Sequence, residues 1–306
     1  MSVLGALKRR DCPVCGASAD VAEDFMAGTL DETRITKDSF ASRKQPEFMS
    51  YRLVRCRTCS TVFAPEAPEG AALAEAYHLA DYGSADEARF AAATYGDALS
   101  PYLEHLAHRG TAIEIGTGTG VFLSYLQRFG FSDPVGIEPS RAAIQAAAPE
   151  VKPLIREGIF TGTEYPPNSV SLVCCFQTLE HVPEPRSLVA KAYQMLEPGG
   201  LLALVTHDYD ARINRFLGRR SPIIDIEHVQ VFNPASLRHL VTSAGFELRD
   251  LMPFRNRYPM RYWVSLLPLP SGLKNAAIAS LLALRLAKLP IRLNVGNLLT
   301  VAQKPA

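Results

Sequence analysis

The sequence predicts an α/β fold in which a mostly parallel, seven-stranded sheet is covered by helices. From residue 111 onward, short apolar runs bounded by turn residues alternate with helical patterns, and this alternation is typical of βαβ units. A glycine-rich segment lies where the first apolar run meets the first helix. In Rossmann-like folds that position holds the ligand-binding turn.

Seven strands and four helices are predicted in this region. The predicted strands are 111–115, 134–138, 152–155, 170–176, 200–206, 246–252 and 297–302. The predicted helices are 121–129, 141–148, 186–196 and 234–244. Pro185 and Pro234 lie near helix starts, where the missing N–H costs little. Gly199 and Gly245 follow helices, where a left-handed cap is common.

The chain of 306 residues is predicted to divide into three regions: 1–66, a helical linker at 67–110, and the α/β domain at 111–306. Within the last region, residues 260–293 are apolar and are interrupted by prolines and basic residues. They predict a helical insertion. One interpretation is a pair of core-packed helices, and the other is a mobile lid or a contact with a membrane surface.

Four of the six cysteines form two CxxC pairs, Cys12/Cys15 and Cys56/Cys59, with 40 residues between them. Each pair can form a knuckle that presents two thiolates, and two knuckles complete a tetrahedral zinc site. Such a closed site is structural rather than catalytic. Residues 1–66 are therefore predicted to form a small zinc-ribbon-like module. The alternative is four thiols left after loss of the metal.

The composition and charge of the chain disfavour two classes of protein, namely nucleic-acid-binding proteins and proteins that span a membrane. The formal net charge is only +1, so no global field attracts nucleic acid or an anionic membrane. No stretch reaches the roughly 18 apolar residues of a membrane span, and Met1 to Arg10 lacks the pattern of a secretory signal. We expect a cytoplasmic location, whose reducing conditions favour cysteines as metal ligands over disulfides.

The glycine-rich turn contains Gly116, Gly118 and Gly120 between a predicted strand and a predicted helix. Glycines there let the backbone turn tightly and approach a ligand. Glu138 ends the next strand, 18 residues after Gly120, close to the spacing of a ribose-binding acid. Glu114 lies inside the first strand, where its charge would repel a pyrophosphate and suit a cationic ligand.

Six motifs together resemble class I S-adenosylmethionine-dependent methyltransferases over roughly residues 75–306. They are AIEIGTGTG (112–120), VGIEPS (135–140), QTLEHVP (177–183), LEPGGLL (196–202), FNPASLR (232–238) and AGF (244–246). The resemblance implies a sheet whose last strand is antiparallel. It also implies S-adenosylmethionine as the cofactor.

The resemblance further implies which residues bind this cofactor. Glu114 faces the methionine amino end, Glu138 binds the ribose hydroxyls, and Pro139 lies beside the adenine. Many relatives have an Asp at the position of Ile159, so a backbone group would have to contact the adenine amino group here. The complete predicted set is Glu114, Gly116, Thr117, Gly118, Gly120, Glu138, Pro139, Ile159, Phe160 and Gln177.

Three residues are the candidate catalytic groups. His181 follows the strand at 170–176 and could serve as a general base, because its ordinary pKa suits proton removal near neutral pH. It could equally be a structural histidine packed beneath the cofactor. Glu180 could orient His181 or contact substrate. His228 is the second candidate base, and His207 could also reach the acceptor.

The region around Gln177 also resembles quinone-biosynthesis O-methyltransferases. Those relatives have a metal-binding Glu at this position. Because the amide of Gln177 is neutral and a poor ligand for a divalent cation, we predict no metal in the active site.

The sequence therefore predicts a methyltransferase that acts on a small molecule or a sugar, at oxygen or carbon. A cysteine module before such a domain resembles bacterial enzymes of this kind, including deoxysugar C-methyltransferases. One alternative is an RNA methyltransferase with a zinc-ribbon anchor, although acidic residues dilute the positive charge of residues 1–66. Another is a non-catalytic zinc-binding partner protein on the same fold.

Overall fold

The computed structural model describes residues 5–41, 47–80, 85–267 and 269–306. The strands are β1 (Lys8–Arg9), β2 (Glu23–Met26), β3 (Leu53–Arg55), β4 (Val62–Phe63), β5 (Glu66–Ala67), β6 (Thr111–Ile115), β7 (Asp133–Glu138), β8 (Ile155–Glu157), β9 (Val170–Phe176), β10 (Leu196–His207), β11 (Gln230–Val231), β12 (Glu247–Pro259) and β13 (Pro290–Gln303). The helices are α1 (Gly70–Leu79), α2 (Ala85–Leu103), α3 (Val121–Arg128), α4 (Arg141–Gln145), α5 (Pro185–Met195), α6 (Arg212–Leu217), α7 (Pro234–Ser243), α8 (Met260–Ser265) and α9 (Ser271–Ala283).

The central sheet has seven strands in the order β12–β13–β10–β9–β6–β7–β8. Strands β10, β9, β6, β7 and β8 pair in parallel, and β13 runs antiparallel to both β10 and β12. The predicted α/β fold class and the antiparallel last strand are therefore confirmed. The strand order changes direction beside β6, which places the ends of β6 and β9 at the crevice where open sheets bind ligands.

The middle of the sheet is buried on both faces. All seven residues of β9 are buried, and Cys174 and Cys175 belong to the cores on opposite sides of the sheet. Burial raises the pKa of both thiols well above its ordinary value. Both cysteines therefore have a packing role.

One predicted strand was misplaced. Residues 152–154 form a 3-10 helix with Pro153 in its first turn, and β8 begins only at Ile155. Pro153 has no N–H to donate to a neighbouring strand, which disfavours a strand at this position.

The last two strands of the chain are longer than predicted. Strands β12 and β13 pair as far as Pro259 opposite Pro290, so this ribbon extends beyond the end of the parallel strands. Helices α8 and α9 connect its two arms. The ribbon therefore adds a wall next to the ligand-binding crevice.

The helical insertion differs from the core-packed interpretation. Helix α8 is anchored, because Trp263 is buried and its indole N–H donates to the carbonyl of Ile291 at 3.0 Å. Helix α9 contacts α8 but has no buried residue. Of the two interpretations, the core-packed one therefore does not describe α9. Pro268, between the two helices, lies outside the described residues.

The N-terminal region is joined to the central domain through a shared sheet. In the four-stranded sheet β11–β4–β3–β2, β11 comes from the central domain and pairs antiparallel with β4. Arg10 adds a second connection, because its guanidinium donates to the carbonyls of Ala64 at 2.8 Å and Pro183 at 2.9 Å. Burial lowers the pKa of Arg10 to about 10, so it stays charged at neutral pH.

Among the described residues, no helix has both the length and the apolar character needed to cross a lipid bilayer.

Candidate active site

A cavity of about 1100 Å³ lies at the carboxyl ends of β6, β7, β9 and β10. This volume slightly exceeds the range of about 300–1,000 Å³ that is typical of single-ligand pockets, so the cavity has room for a cofactor and an acceptor together. Nine of the ten predicted cofactor-binding residues line it: Glu114, Gly116, Thr117, Gly118, Glu138, Pro139, Ile159, Phe160 and Gln177.

The glycine-rich turn is shaped to leave space for a ligand. Gly116 and Gly118 have φ angles of +72° and +58°, a backbone region that glycine adopts at little cost. A Cβ atom at Gly116 would lie 2.3 Å from the hydroxyl oxygen of Thr178. A Cβ atom at Gly118 would meet no described heavy atom within 4 Å, so the backbone there borders open space.

Two buried carboxylates brace this turn. Glu138 accepts hydrogen bonds from the backbone N–H of Gly118 at 2.6 Å and of Ser140 at 2.8 Å. Glu114 accepts a hydrogen bond from the hydroxyl of Thr117. Both carboxylates line the cavity, so a ligand bound there would meet negative charge at two points.

Gly120 differs from the other two glycines of the motif. It is absent from the described lining of the cavity, and a Cβ atom there would lie 2.6 Å from Val151. Gly120 therefore permits close packing of the N-terminus of α3 against the segment before β8. The prediction that Gly120 contacts the cofactor disagrees with this position.

Gln177 lies at the end of β9 with a positive φ of +49°. Its backbone N–H donates to the carbonyl of Val205 at 2.6 Å, and its side-chain oxygen accepts a hydrogen bond from the hydroxyl of Tyr95 at 3.1 Å. These contacts fix the turn that leads from β9 to His181. Tyr95 itself lines the cavity, and no motif in its sequence context indicates this position.

His181 lines the cavity, but both of its ring nitrogens contact protein groups. Nδ1 lies 2.7 Å from the hydroxyl of Tyr77 and 3.0 Å from the carbonyl oxygen of Glu227. Nε2 lies 3.1 Å from the carbonyl oxygen of Gln177. Burial lowers the pKa of His181, and the negative charge of Glu180 opposes this shift less strongly.

Glu180 does not face the acceptor space. It is fully buried, is absent from the described cavity lining, and accepts a hydrogen bond from the backbone N–H of His207. Its own carbonyl accepts from the N–H of Val229 at 3.1 Å. The prediction that Glu180 is a catalytic residue disagrees with this burial, and its contacts join β10 to the segment before β11.

His228 presents the second imidazole of the site. Its Nδ1 donates to the carbonyl of Ile223 at 2.9 Å, and its Nε2 lies 3.7 Å from a carboxylate oxygen of Glu227. The rings of His181 and His207 lie 4.9 and 5.0 Å from it, measured between centroids. All three predicted histidines therefore meet in one part of the cavity.

Several polar residues of this cavity were not predicted from the sequence. Tyr77 comes from α1, while Asn256 and Asn297 come from the β12–β13 ribbon. Asn297 accepts a hydrogen bond from Nδ1 of His207 at 2.7 Å and donates to Asn256 at 2.5 Å. Buried asparagines in an apolar strand pattern are the one sequence signal that could have indicated this network.

The four cysteines of the CxxC pairs form one cluster. Their sulfur atoms all lie within 4.8 Å of one another, and the Cys12–Cys59 and Cys15–Cys56 distances are both 3.5 Å. These distances exceed a disulfide bond of about 2.05 Å. They approach the roughly 3.8 Å between sulfurs of a tetrahedral site with Zn–S bonds of about 2.3 Å. The donor set and its spacing therefore fit zinc.

The buried state of His181 predicts that acid destabilises the protein. Because the folded-state pKa is lowered, the unfolded chain takes up a proton first, and stability falls as pH drops below the ordinary value of about 6.5. We expect the unfolding temperature to fall between pH 7.5 and pH 5.5. The fall should be smaller in His181→Gln, measured by circular dichroism. Equal losses in both proteins would contradict this assignment.

Comparison with known proteins identifies the family. Residues 87–251 match the family model described as a methyltransferase domain, and this match covers more than half of the chain. The chain belongs to this family. It therefore contains an S-adenosylmethionine-dependent methyltransferase domain, as the sequence predicted.

Individual relatives are similar over shorter stretches. A probable S-adenosylmethionine-dependent methyltransferase of Mycolicibacterium smegmatis is 32% identical, over 38% of this chain and 42% of the relative. A ubiquinone biosynthesis O-methyltransferase of Psychrobacter arcticus is 23% identical, over 50% of this chain and 65% of the relative. The chain thus spans less than two thirds of either curated relative.

Among solved structures, an S-adenosylmethionine-dependent methyltransferase of Archaeoglobus fulgidus matches 71% of this chain and 97% of its own. Its sequence identity is 14% and its TM-score is 0.47.

Proposed function

We propose that the protein transfers a methyl group from S-adenosylmethionine to an oxygen or an acidic carbon of a small molecule. The observation that carries this proposal is the arrangement of His228. Its Nδ1 donates to a backbone carbonyl, which fixes the orientation of the ring. Its Nε2 lies 3.7 Å from a carboxylate oxygen of Glu227, which would stabilise the ring when it carries a proton. A base in this position is needed for oxygen and carbon acceptors.

The cofactor-binding role rests on the two carboxylates and the open turn. Glu138 would accept the ribose hydroxyls, while Glu114 would attract the cationic methionine end. S-adenosylmethionine supplies a methyl group already activated on a sulfonium sulfur. The protein then has to align the acceptor with that methyl group and exclude water, and correct alignment alone can lower the barrier by several kcal/mol.

The acceptor-side role falls to His228 rather than His181. His228 would take the acceptor proton, and Glu227 would stabilise the resulting imidazolium charge. His181 would position the wall of the site, because both of its ring nitrogens are engaged by Tyr77, Glu227 and Gln177. Burial lowers the pKa of His181, which makes it a weaker base than an exposed imidazole.

We expect His228→Gln to reduce turnover by about 10²–10⁴-fold, the usual contribution of a general base. Binding of S-adenosylmethionine should hardly change, because His228 is not one of the predicted cofactor-binding residues. Formation of S-adenosylhomocysteine measures the first effect and calorimetry the second. The matched variant is His207→Gln, for which a smaller loss is expected. Equal losses in the two variants would overturn the assignment of the base.

A small acceptor is favoured over RNA by the paired charges of the N-terminal module. Among its described basic side chains, Arg9 pairs with Asp20, Arg52 pairs with Asp24, and Arg55 pairs with Glu23. An RNA-binding face needs basic groups that reach phosphates. Here those groups are largely neutralised, whereas the polar cavity suits a compact ligand.

The proposed reaction can be tested with methyl-labelled S-adenosylmethionine and a fractionated cell extract. We expect the label in a low-molecular-weight product that is stable to ribonuclease. Label that is lost on ribonuclease treatment would support the RNA alternative. Cofactor binding without label in any fraction would support the non-catalytic alternative.

We further propose that the four-cysteine cluster holds a structural zinc ion. Cys12, Cys15, Cys56 and Cys59 would supply all four ligands, so the ion would have no open position for substrate. Its role would be to hold the β3–β4 hairpin against the N-terminal turn. Because β4 pairs with β11, the ion would also stabilise the segment that contains His228.

A further inference from the structure

The C-terminal insertion leaves apolar surface uncovered. Eight of the 13 residues of α9 are apolar, and none is buried. A helix that is apolar on all sides is normally enclosed by a protein core or by lipid. Leu273, Leu282 and Leu284 are 60%, 58% and 67% exposed, and four more leucines between residues 267 and 289 are also exposed.

The charged residues of the insertion itself are all basic, although two of them, Arg261 and Arg292, pair with Asp86 and Asp97 of α2. Residues 260–293 contain Arg261, Lys274, Arg285, Lys288 and Arg292 and no Asp or Glu. Arg285 and Lys288 are exposed and alternate with exposed leucines in the turn after α9. A second copy of the chain would bring the same positive charges against each other in a symmetric contact. An anionic partner is therefore the better match.

The uncovered surface borders the proposed active site. Met260, Trp263 and Leu267 from this insertion line the cavity. Helix α6 also contributes Ile213 and Leu217 to the lining. It also exposes 86% of Phe216, which lies next to Arg215 in the sequence. Basic and apolar residues therefore occur together on two elements that line one cavity.

We propose that α9 and the turn after it, residues 271–289, bind the surface of an anionic phospholipid bilayer. The leucines enter the interface, and Arg285 and Lys288 in the turn after α9 contact the anionic headgroups. The helix lies on the bilayer and does not cross it, since its 13 residues are fewer than the roughly 20 needed for a span. This inference is independent of the methyl acceptor.

The test is co-flotation of the full chain with vesicles of phosphatidylcholine, with and without phosphatidylglycerol. We expect the protein to float with the anionic vesicles only, and to be released by high salt because exposed charges are then screened. Arg285→Gln with Lys288→Gln should weaken vesicle binding by about fivefold per residue. Leu273→Gln, Leu282→Gln and Leu284→Gln together should weaken it by about a hundredfold or more.

The control pair is Val21→Gln with Leu79→Gln, two residues that are 59% and 58% exposed far from the insertion in sequence. Vesicle binding should be unchanged in this pair, and circular dichroism should show that all variants fold. Failure of the wild-type chain to float, or flotation of the leucine variant equal to wild type, would overturn the proposal. A dimer that the leucine variant abolishes, without vesicle binding, would assign the surface to self-association instead.

Discussion

Replacing Glu138 by alanine should weaken S-adenosylmethionine binding at least a hundredfold, or about 3 kcal/mol. The carboxylate does two things at once in this structure. It accepts the N–H groups of Gly118 and Ser140 at 2.6 and 2.8 Å, and each hydrogen bond to a charged group contributes about 1.5–3 kcal/mol. It also lines the cavity, where the ribose hydroxyls would bind. Isothermal titration calorimetry measures the change.

The matched control for this experiment is Glu157→Gln. Glu157 ends the neighbouring strand β8, and its carboxylate bonds to Arg141 at 2.9 Å on the exposed surface. Its loss should leave cofactor affinity unchanged, because exposed ion pairs contribute little. Glu138→Gln should fall between the control and the alanine variant, since an amide keeps one acceptor but loses the charge. Wild-type affinity in Glu138→Ala would show that the cofactor does not use this carboxylate.

The sheet centre could be predicted to the residue, whereas its edges could not. Strands β6 and β9 have the bounds 111–115 and 170–176, because runs buried on both faces contain almost only apolar residues. The extension of β12 and β13 depends on pairing between residues such as Asn256 and Leu293. That pairing is a long-range contact between segments with no alternating pattern, so the local sequence gave no signal for it.

The residues of the candidate site also fall into those that the sequence could predict and those that it could not. Glu114, Gly118 and Glu138 lie in short motifs at strand ends, where the topology of an open sheet already determines their position. Tyr77 and Asn297 reach the cavity from segments that are far apart in the sequence, and no local pattern relates them. Glu180, by contrast, was predicted to belong to the site but does not line the cavity. Its neighbour His181 lines the cavity, but Glu180 points into the core and holds the backbone of His207.

Replacing Cys56 by serine should abolish both zinc binding and methyltransferase activity. The Sγ atom of Cys56 lies 3.5 Å from that of Cys15, so its loss breaks the four-sulfur set that we propose binds the ion. Zinc sites of this kind supply much of the folding free energy of small modules, and we expect a loss on the order of 5 kcal/mol. For a domain of this size, that loss corresponds to a decrease of roughly 10 °C in unfolding temperature.

The effect should reach the active site because the two regions share a sheet. Strand β4 follows Cys56 and Cys59 and pairs with β11, which begins two residues after His228. Elemental analysis should find one zinc per wild-type chain and none in Cys56→Ser, and turnover should fall with the metal. Cys174→Ala removes a buried thiol of β9 and should keep both zinc and activity. A Cys56→Ser protein that retains zinc and unfolds at the wild-type temperature would exclude the metal site. A metal-free wild-type chain that is fully active would show instead that the four thiols pack without an ion.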